Sequence, residues 1–170
     1  MLDRLARVGA SEEWAGGLNP TQAAALDYLS RANRFSRSPT QVSDYLSATR
    51  GTVSQTLKAL ARKGLIVERR SAADKRSISY DVTTAGPAAL TQQDTLDTTL
   101  TSLSDREAKL FADALHKILK DVLDRRGGRQ FGLCKTCKHH GRKGKSAHCL
   151  LLDTPLKPAE ASQICYEHAT

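Results

Sequence analysis

A chain of 170 residues with a net charge of +8 and 39% hydrophobic residues is long enough for one ordinary core plus an appendage, and needs no disulfides to hold it. No apolar run is long enough to span a bilayer, and the opening MLDRLARVGASEEW sets charges among its apolar residues, unlike a secretory signal. The expected location is therefore the cytoplasm, away from membranes, where clustered cysteines bind metal or sense redox state rather than pairing as disulfides.

The first clear helix start is Asn19-Pro20-Thr21-Gln22, and the second is Ser38-Pro39-Thr40-Gln41. In each, a capping side chain can accept from a free N–H, a proline has no N–H to leave unsatisfied, and a glutamine can reach back. A third helix is expected from about Thr49 to Lys63, with Val53, Leu57 and Leu60 on one face and Arg50, Thr52, Ser54, Gln55 and Lys58 on the other. Gly51 in its first turn costs about 1 kcal/mol of helix propensity, and would loosen the start or let the backbone approach a ligand. Gly64 ends it, as a residue suited to the left-handed conformation.

After Gly64 the period changes. LIVERR and SISYDVT, rich in β-branched and aromatic residues, flank the polar turn SAADKR and read as a hairpin. Residues 35–80 carry nine basic and three acidic side chains, so most of the excess charge falls on these elements. Concentrated charge of this kind fits a polyanion-binding face, against the alternative of a solvated basic surface. Helix, basic-faced helix, then a hairpin with a basic tip is the order of a winged helix-turn-helix, whose second helix enters the major groove.

The run GTVSQTLKALARKGLIVERRSAADKRSISYDVTTAG resembles the core of the MarR family of transcription regulators. The matching motifs are Gly64-Leu65 at a strand start, Asp74-Lys75-Arg76 in the wing, and Val82-Thr83-Thr84-Ala85-Gly86 at the hinge, with Val82 where the family usually has leucine. The resemblance covers roughly residues 15–125. It implies a homodimer on a pseudo-palindromic operator in double-stranded DNA, usually as a repressor and without catalytic activity. On that basis the DNA-binding candidates are Arg50, Thr52, Ser54, Gln55, Lys58, Arg70, Asp74, Lys75 and Arg76, with Arg76 reaching the minor groove and Asp74 orienting it.

The implied fold is mainly α with a small β-hairpin wing. Residues 1–18 would form an N-terminal dimerisation helix, 19–86 the winged helix-turn-helix, 87–128 the C-terminal dimerisation helices, and 129–170 a cysteine-rich metal-binding tail. Within the third part, Ser104-Asp105-Arg106-Glu107 is a capping box, and Phe111, Leu115, Ile118 and Val122 form a stripe that suits a partner helix. A small-molecule pocket between the dimer region and the DNA-binding part is compatible with the resemblance, but no polar constellation identifies a ligand.

Nothing in the MarR signature requires the tail. Its spacing is C-x2-C-x11-C-x15-C, and its low apolar content points to a loop-rich segment ordered by a metal. Cys134, Cys137, Cys149 and Cys165 are the expected ligands, of an iron–sulfur cluster (a 2Fe-2S centre) or alternatively of zinc. An iron–sulfur centre tolerates the wide second spacing and would give the regulator a redox or iron signal; a structural zinc would leave the signal to a small molecule. Metal-free thiol switching is a third reading.

Among the tail histidines, His148 beside Cys149 is the first substitute ligand, ahead of His139 and His140. The tail's lysines would lower the thiol pKa values, and the tail, following the dimerisation helix, would sit away from the DNA. Two other functions stay open: a CxxC thiol oxidoreductase, which lacks the expected βαβ pattern, and a winged helix used only for protein contacts.

Overall fold

The computed structural model describes residues 1, 3–8, 17–71, 77–90, 95–144 and 146–170. Helix α1 (Pro20–Arg31) starts on a full capping box: Asn19 Oδ1 accepts from the Gln22 N–H at 2.9 Å, and the Gln22 side chain accepts from the Asn19 N–H. Helix α2 (Pro39–Leu46) repeats the device with Ser38 and Gln41. Helix α3 (Arg50–Arg62) is capped by Thr49, and Gly64, at φ 71°, turns the chain out of it.

Strands β1 (Ile66–Arg70) and β2 (Ile78–Val82) pair antiparallel, with Ile66 opposite Val82 and Arg70 opposite Ile78. One core serves these elements. Leu26, Tyr28 and Leu29 of α1, Val42 of α2, and Val53, Leu57 and Leu60 of α3 are buried at helical spacing, closed by Ile66 and Tyr80 of the hairpin. Each fully buried leucine contributes about 2 kcal/mol through the water it sheds. The order and pairing are those of a winged helix, as the sequence implied.

Helices α4 (Ala85–Leu90), α5 (Thr95–Leu100) and α6 (Asp105–Arg126) follow. A Cβ on Gly86 would press on Val82 and come within 2.9 Å of the Leu65 carbonyl oxygen, so the hinge position has no room for a side chain. Helix α6 has the Ser104–Glu107 capping box and ends at Gly127 in the left-handed region. None of its residues is buried, and Leu115 and Ile118 stay 38% and 56% exposed, so its apolar stripe has no cover among the described residues. Residues 3–8 are helical and exposed. No described helix is long and apolar enough to cross a membrane.

The tail differs from the loop-rich, remote appendage expected. Strand β3 (Gly132–Leu133) pairs with β7 (Ile164–Cys165), while β4 (His140–Lys143), β5 (Ser146–Cys149) and β6 (Thr154–Pro155) form a three-stranded sheet in that order. Two 3-10 turns, Cys134–Thr136 and Pro158–Ser162, complete it. The tail then packs back on the α1–α2 turn instead of standing off beyond α6.

Aromatic contact explains that return. Phe131 meets the rings of Tyr45 at 5.0 Å, Tyr166 at 5.4 Å and Tyr28 at 5.9 Å, all edge to face. An ion pair fixes the other end: Arg34 reaches the buried Glu160 carboxylate at 2.6 Å and the Pro155 carbonyl at 2.8 Å.

Candidate nucleic-acid interface and cysteine cluster

The face of α3 opposite Val53, Leu57 and Leu60 is open. Arg50, Gln55 and Lys58 are exposed and Ser54 is half-buried, and their side chains have no hydrogen-bond or ion-pair partner among the described residues. Thr52 differs from them: its hydroxyl lies 2.9 Å from that of the capping Thr49, so it helps start the helix as well as facing outward. Among the described residues a Cβ on Gly51 would meet only the Thr49 hydroxyl, at 3.9 Å, so none of them requires a glycine there.

In the wing, Arg70, a DNA-binding candidate by sequence, is exposed and paired with Glu68 at 2.9 Å. Asp74, Lys75 and Arg76 lie outside the described residues. Sequence reasoning missed Arg37 and Arg69, which both reach Asp81 of β2, at 3.2 and 3.0 Å: Arg37 fastens the wing to the α1–α2 turn, and Arg69 ties the two wing strands together. Their partner stands too far along the chain to leave a local signal.

All four cysteines are free; Cys134 and Cys165 are buried, and Cys137 and Cys149 half-buried. The 3-10 turn after Leu133 returns the Cys137 N–H to the Cys134 carbonyl at 3.1 Å, pairing with β7 brings Cys165 opposite Gly132, and pairing with β4 sets Cys149 opposite His140. Burial and the neighbouring Cys165, Cys149 and Cys137 push the Cys134 thiol up to about 11. The tail's lysines have no part in this shift, so the expected lowering does not appear at Cys134, where desolvation leads.

Among the described residues no three His, Cys, Asp or Glu side chains form a group that could hold a metal ion as arranged here. The contacts made by the sulfurs are polar ones. The Ala169 N–H points at Cys137 Sγ at 3.5 Å, and the His140 ring nitrogen Nδ1 lies 3.3 Å from Cys134 Sγ. His148, the first substitute ligand by sequence, is instead engaged by Asp153 at 2.8 Å, because the β5–β6 turn brings that carboxylate over the ring. His140 is thus the histidine that meets a sulfur.

Residues 16–77 match the family model described as "MarR family". The HTH-type transcriptional repressor YetL of Bacillus subtilis (strain 168) is 31% identical over 114 residues, which are 64% of this chain and 66% of that protein. A mutant of MepR from S. aureus superposes with a TM-score of 0.54 at 25% identity, over 71% of this chain and 91% of that one. The S. aureus MepR–DNA complex gives a TM-score of 0.56 at 22% identity, over 70% and 90%. Residues 16–77 are a MarR-family segment, and the chain has the winged-helix fold of that family.

The MarR-family model ends at residue 77, so the cysteine tail lies outside it. Between that MarR domain and the tail, residues 32–37 act as a shared strip. Ala32 bridges to Ile164, the Asn33 N–H donates to the Ile164 carbonyl at 2.9 Å, and Ser36 Oγ accepts from the Tyr166 N–H at 2.8 Å. On the other side, the Tyr80 N–H donates to the Arg37 carbonyl at 3.0 Å. Burial holds the Tyr28 hydroxyl well above the usual phenol range, where it donates to the Ser36 carbonyl at 2.6 Å. A cavity of about 700 Å³ also opens between α6, the end of α2 and the tail, lined by Tyr45, His116, Leu119, Leu123, Phe131 and Ile164 among others.

Proposed function

We propose that this chain is a MarR-family DNA-binding transcription repressor that acts as a homodimer and carries no catalytic activity. The observation that carries this reading is the open face of α3, where the side chains of Arg50, Ser54, Gln55 and Lys58 have no partner among the described residues. Guanidinium, hydroxyl, carboxamide and ammonium groups on one helix face suit phosphates and base edges in a major groove. Asp74, Lys75 and Arg76 of the wing would add the flanking minor-groove contact. YetL is named a transcriptional repressor, and MepR has been seen in complex with DNA. The uncovered stripe of α6 fits a second copy, which would set two recognition helices against two half-sites.

The operator affinity of the proposed repressor is set by an iron–sulfur centre on Cys134, Cys137, Cys149 and Cys165. Its support is chemical: four free cysteines gather in one small β-structured tail, three of them acting on the Cys134 thiol. Thiolates in such a setting suit iron, and the Ala169 N–H and His140 ring supply the hydrogen bonds to sulfur that tune such centres. A cluster would supply an electron or be lost on oxidation. The second reading is a structural zinc on the same cysteines with a small molecule as signal, and the cavity beside Phe131 favours it.

Two measurements test the proposal. Anaerobically purified protein is expected to be brown and to hold iron with acid-labile sulfide; a colourless protein with one zinc per chain supports the second reading instead. Binding to operator DNA is expected to fall steeply with salt and to be lost in Arg76→Ala; salt-independent or absent binding overturns the regulator.

A further inference from the structure

The hairpin that follows α3 is held at two places. At its base, the Thr83 N–H donates to the Leu65 carbonyl at 3.0 Å and the Thr83 hydroxyl to the Gly64 carbonyl at 2.8 Å, so the end of β2 is tied to the turn that leaves α3. A tie at one end leaves a two-stranded ribbon free to tilt about it. The second place decides the tilt.

There, β2 is held from the side. Arg37, in the α1–α2 turn, donates through Nε and Nη2 to the Ala32 carbonyl at 3.0 and 2.8 Å and through Nη1 to the Asp81 carboxylate at 3.2 Å. Its own carbonyl accepts from the Tyr80 N–H at 3.0 Å. The turn is a firm anchor, because the buried Tyr28 hydroxyl donates to the carbonyl of Ser36, itself 1% exposed, at 2.6 Å. Arg69 of β1 reaches the other Asp81 oxygen at 3.0 Å, so a single carboxylate joins the turn, β2 and β1.

Arg37 is poorly placed to serve DNA directly. All three of its side-chain nitrogens donate within the chain, and the side chain is 18% exposed. A guanidinium forked between a carbonyl and a carboxylate holds both in a fixed relation, a geometry that an ammonium cannot reproduce.

We infer that Arg37 and Asp81 are positioning residues for DNA recognition: their bond sets the tilt of the wing relative to α3, so that the wing meets the flank of the site that α3 reads. Their role rests on the proposed DNA-binding reading and is carried out without touching DNA. It gives a carboxylate a favourable part in binding a polyanion, against the sign of its charge. A wing free to tilt has to be caught in the bound position, and apparent affinity falls by the fraction of time it spends there.

The test uses full-length protein and a labelled duplex that the wild type selects from a random-sequence pool, titrated at one salt concentration. Asp81→Asn keeps the size of the side chain and raises the net charge of +8 by one, so charge alone would tighten binding. Positioning predicts the opposite: binding weaker by about three- to tenfold, the size of one lost charged hydrogen bond. Arg37→Lys, which keeps the charge, is expected to weaken binding by a similar factor. In an Arg76→Ala background, at salt low enough to leave measurable binding, neither change is expected to cost anything further. Binding by Asp81→Asn as tight as wild type or tighter overturns the positioning role, and so does an equal loss in the Arg76→Ala background. Should urea unfolding show that Asp81→Asn does not fold, Arg37→Lys with and without Arg76→Ala decides by the same criterion. A wild type that selects no duplex overturns the DNA-binding reading itself.

Discussion

The Tyr166 N–H donates to Ser36 Oγ at 2.8 Å, joining the tail to the α1–α2 turn of the winged helix across 130 residues of sequence. That bond, with the neighbouring Asn33–Ile164 pair, makes the cysteine tail an integral part of the winged-helix unit. A segment that supplies buried partners to Ser36 and Asn33 cannot move without disturbing α1 and α2.

The Arg34–Glu160 pair should carry much of that docking. Glu160 is 4% exposed and also caps its own 3-10 turn by accepting from the Lys157 N–H at 2.7 Å. Removing one partner of a buried pair leaves the other's charge unpaired, and with Arg34 partly open to water the effect of Arg34→Met should be about 1–3 kcal/mol. Limited proteolysis should then cut within residues 129–170 sooner than in wild type. An unchanged cleavage pattern counts against the docked tail.

Gly51 and Gly86 should answer alanine in opposite ways. At Gly51 there is open space on the inside of the chain, so Gly51→Ala should raise stability by about 1 kcal/mol in urea unfolding. If the bare backbone meets a phosphate, the same change should weaken DNA binding. At Gly86 the Leu65 carbonyl stands 2.9 Å from where Cβ would go, and Gly86→Ala should lose about 1–3 kcal/mol. Equal effects at the two sites would contradict the packing described.

Dimer formation is expected to depend on α6. Leu115 and Ile118 are exposed in one chain, and Ile118→Asp would place a charge in the proposed seam. Sedimentation should show the wild type as a dimer and the variant as a folded monomer with weakened operator binding. A variant that remains dimeric moves the interface elsewhere.

His168 provides a pH test. Its ring lies against Gly132 and 2.9 Å from the Thr136 hydroxyl, and burial holds its pKa below the ordinary 6.5. The folded chain then binds fewer protons than the unfolded one as pH falls, so the stability this neutral ring contributes is complete above about 6.5 and is lost as pH drops through its folded value. An NMR titration should place the His168 midpoint below 6.5, and Gly132→Ala, which would set Cβ 2.5 Å from the ring, should bring it back up. A wild-type midpoint at or above 6.5 contradicts this burial.

Much of the winged-helix half was legible because its signals are local. Asn19 with Gln22, Ser38 with Gln41 and Ser104 with Glu107 each fix a helix start within three residues, and each is observed as a reciprocal cap. The tail was not legible in the same way. Its strands run from two to four residues, too short for an alternating pattern, and its place depends on Arg34 with Glu160, and Ser36 with Tyr166, pairs separated by 126 and 130 residues. Cysteine spacing identified a cluster but gave no information on which histidine would meet a sulfur, since that follows from the β4–β5 register.

The central claim is that the state of the cysteine centre sets DNA affinity. Its most direct test is a fluorescence-anisotropy titration of operator DNA, at one salt concentration, with anaerobically purified protein and with the same sample after metal removal. The account predicts that the loaded protein binds at least about tenfold more tightly, within the range of coupling between linked sites. Superimposable curves from samples shown to differ in metal content would contradict it.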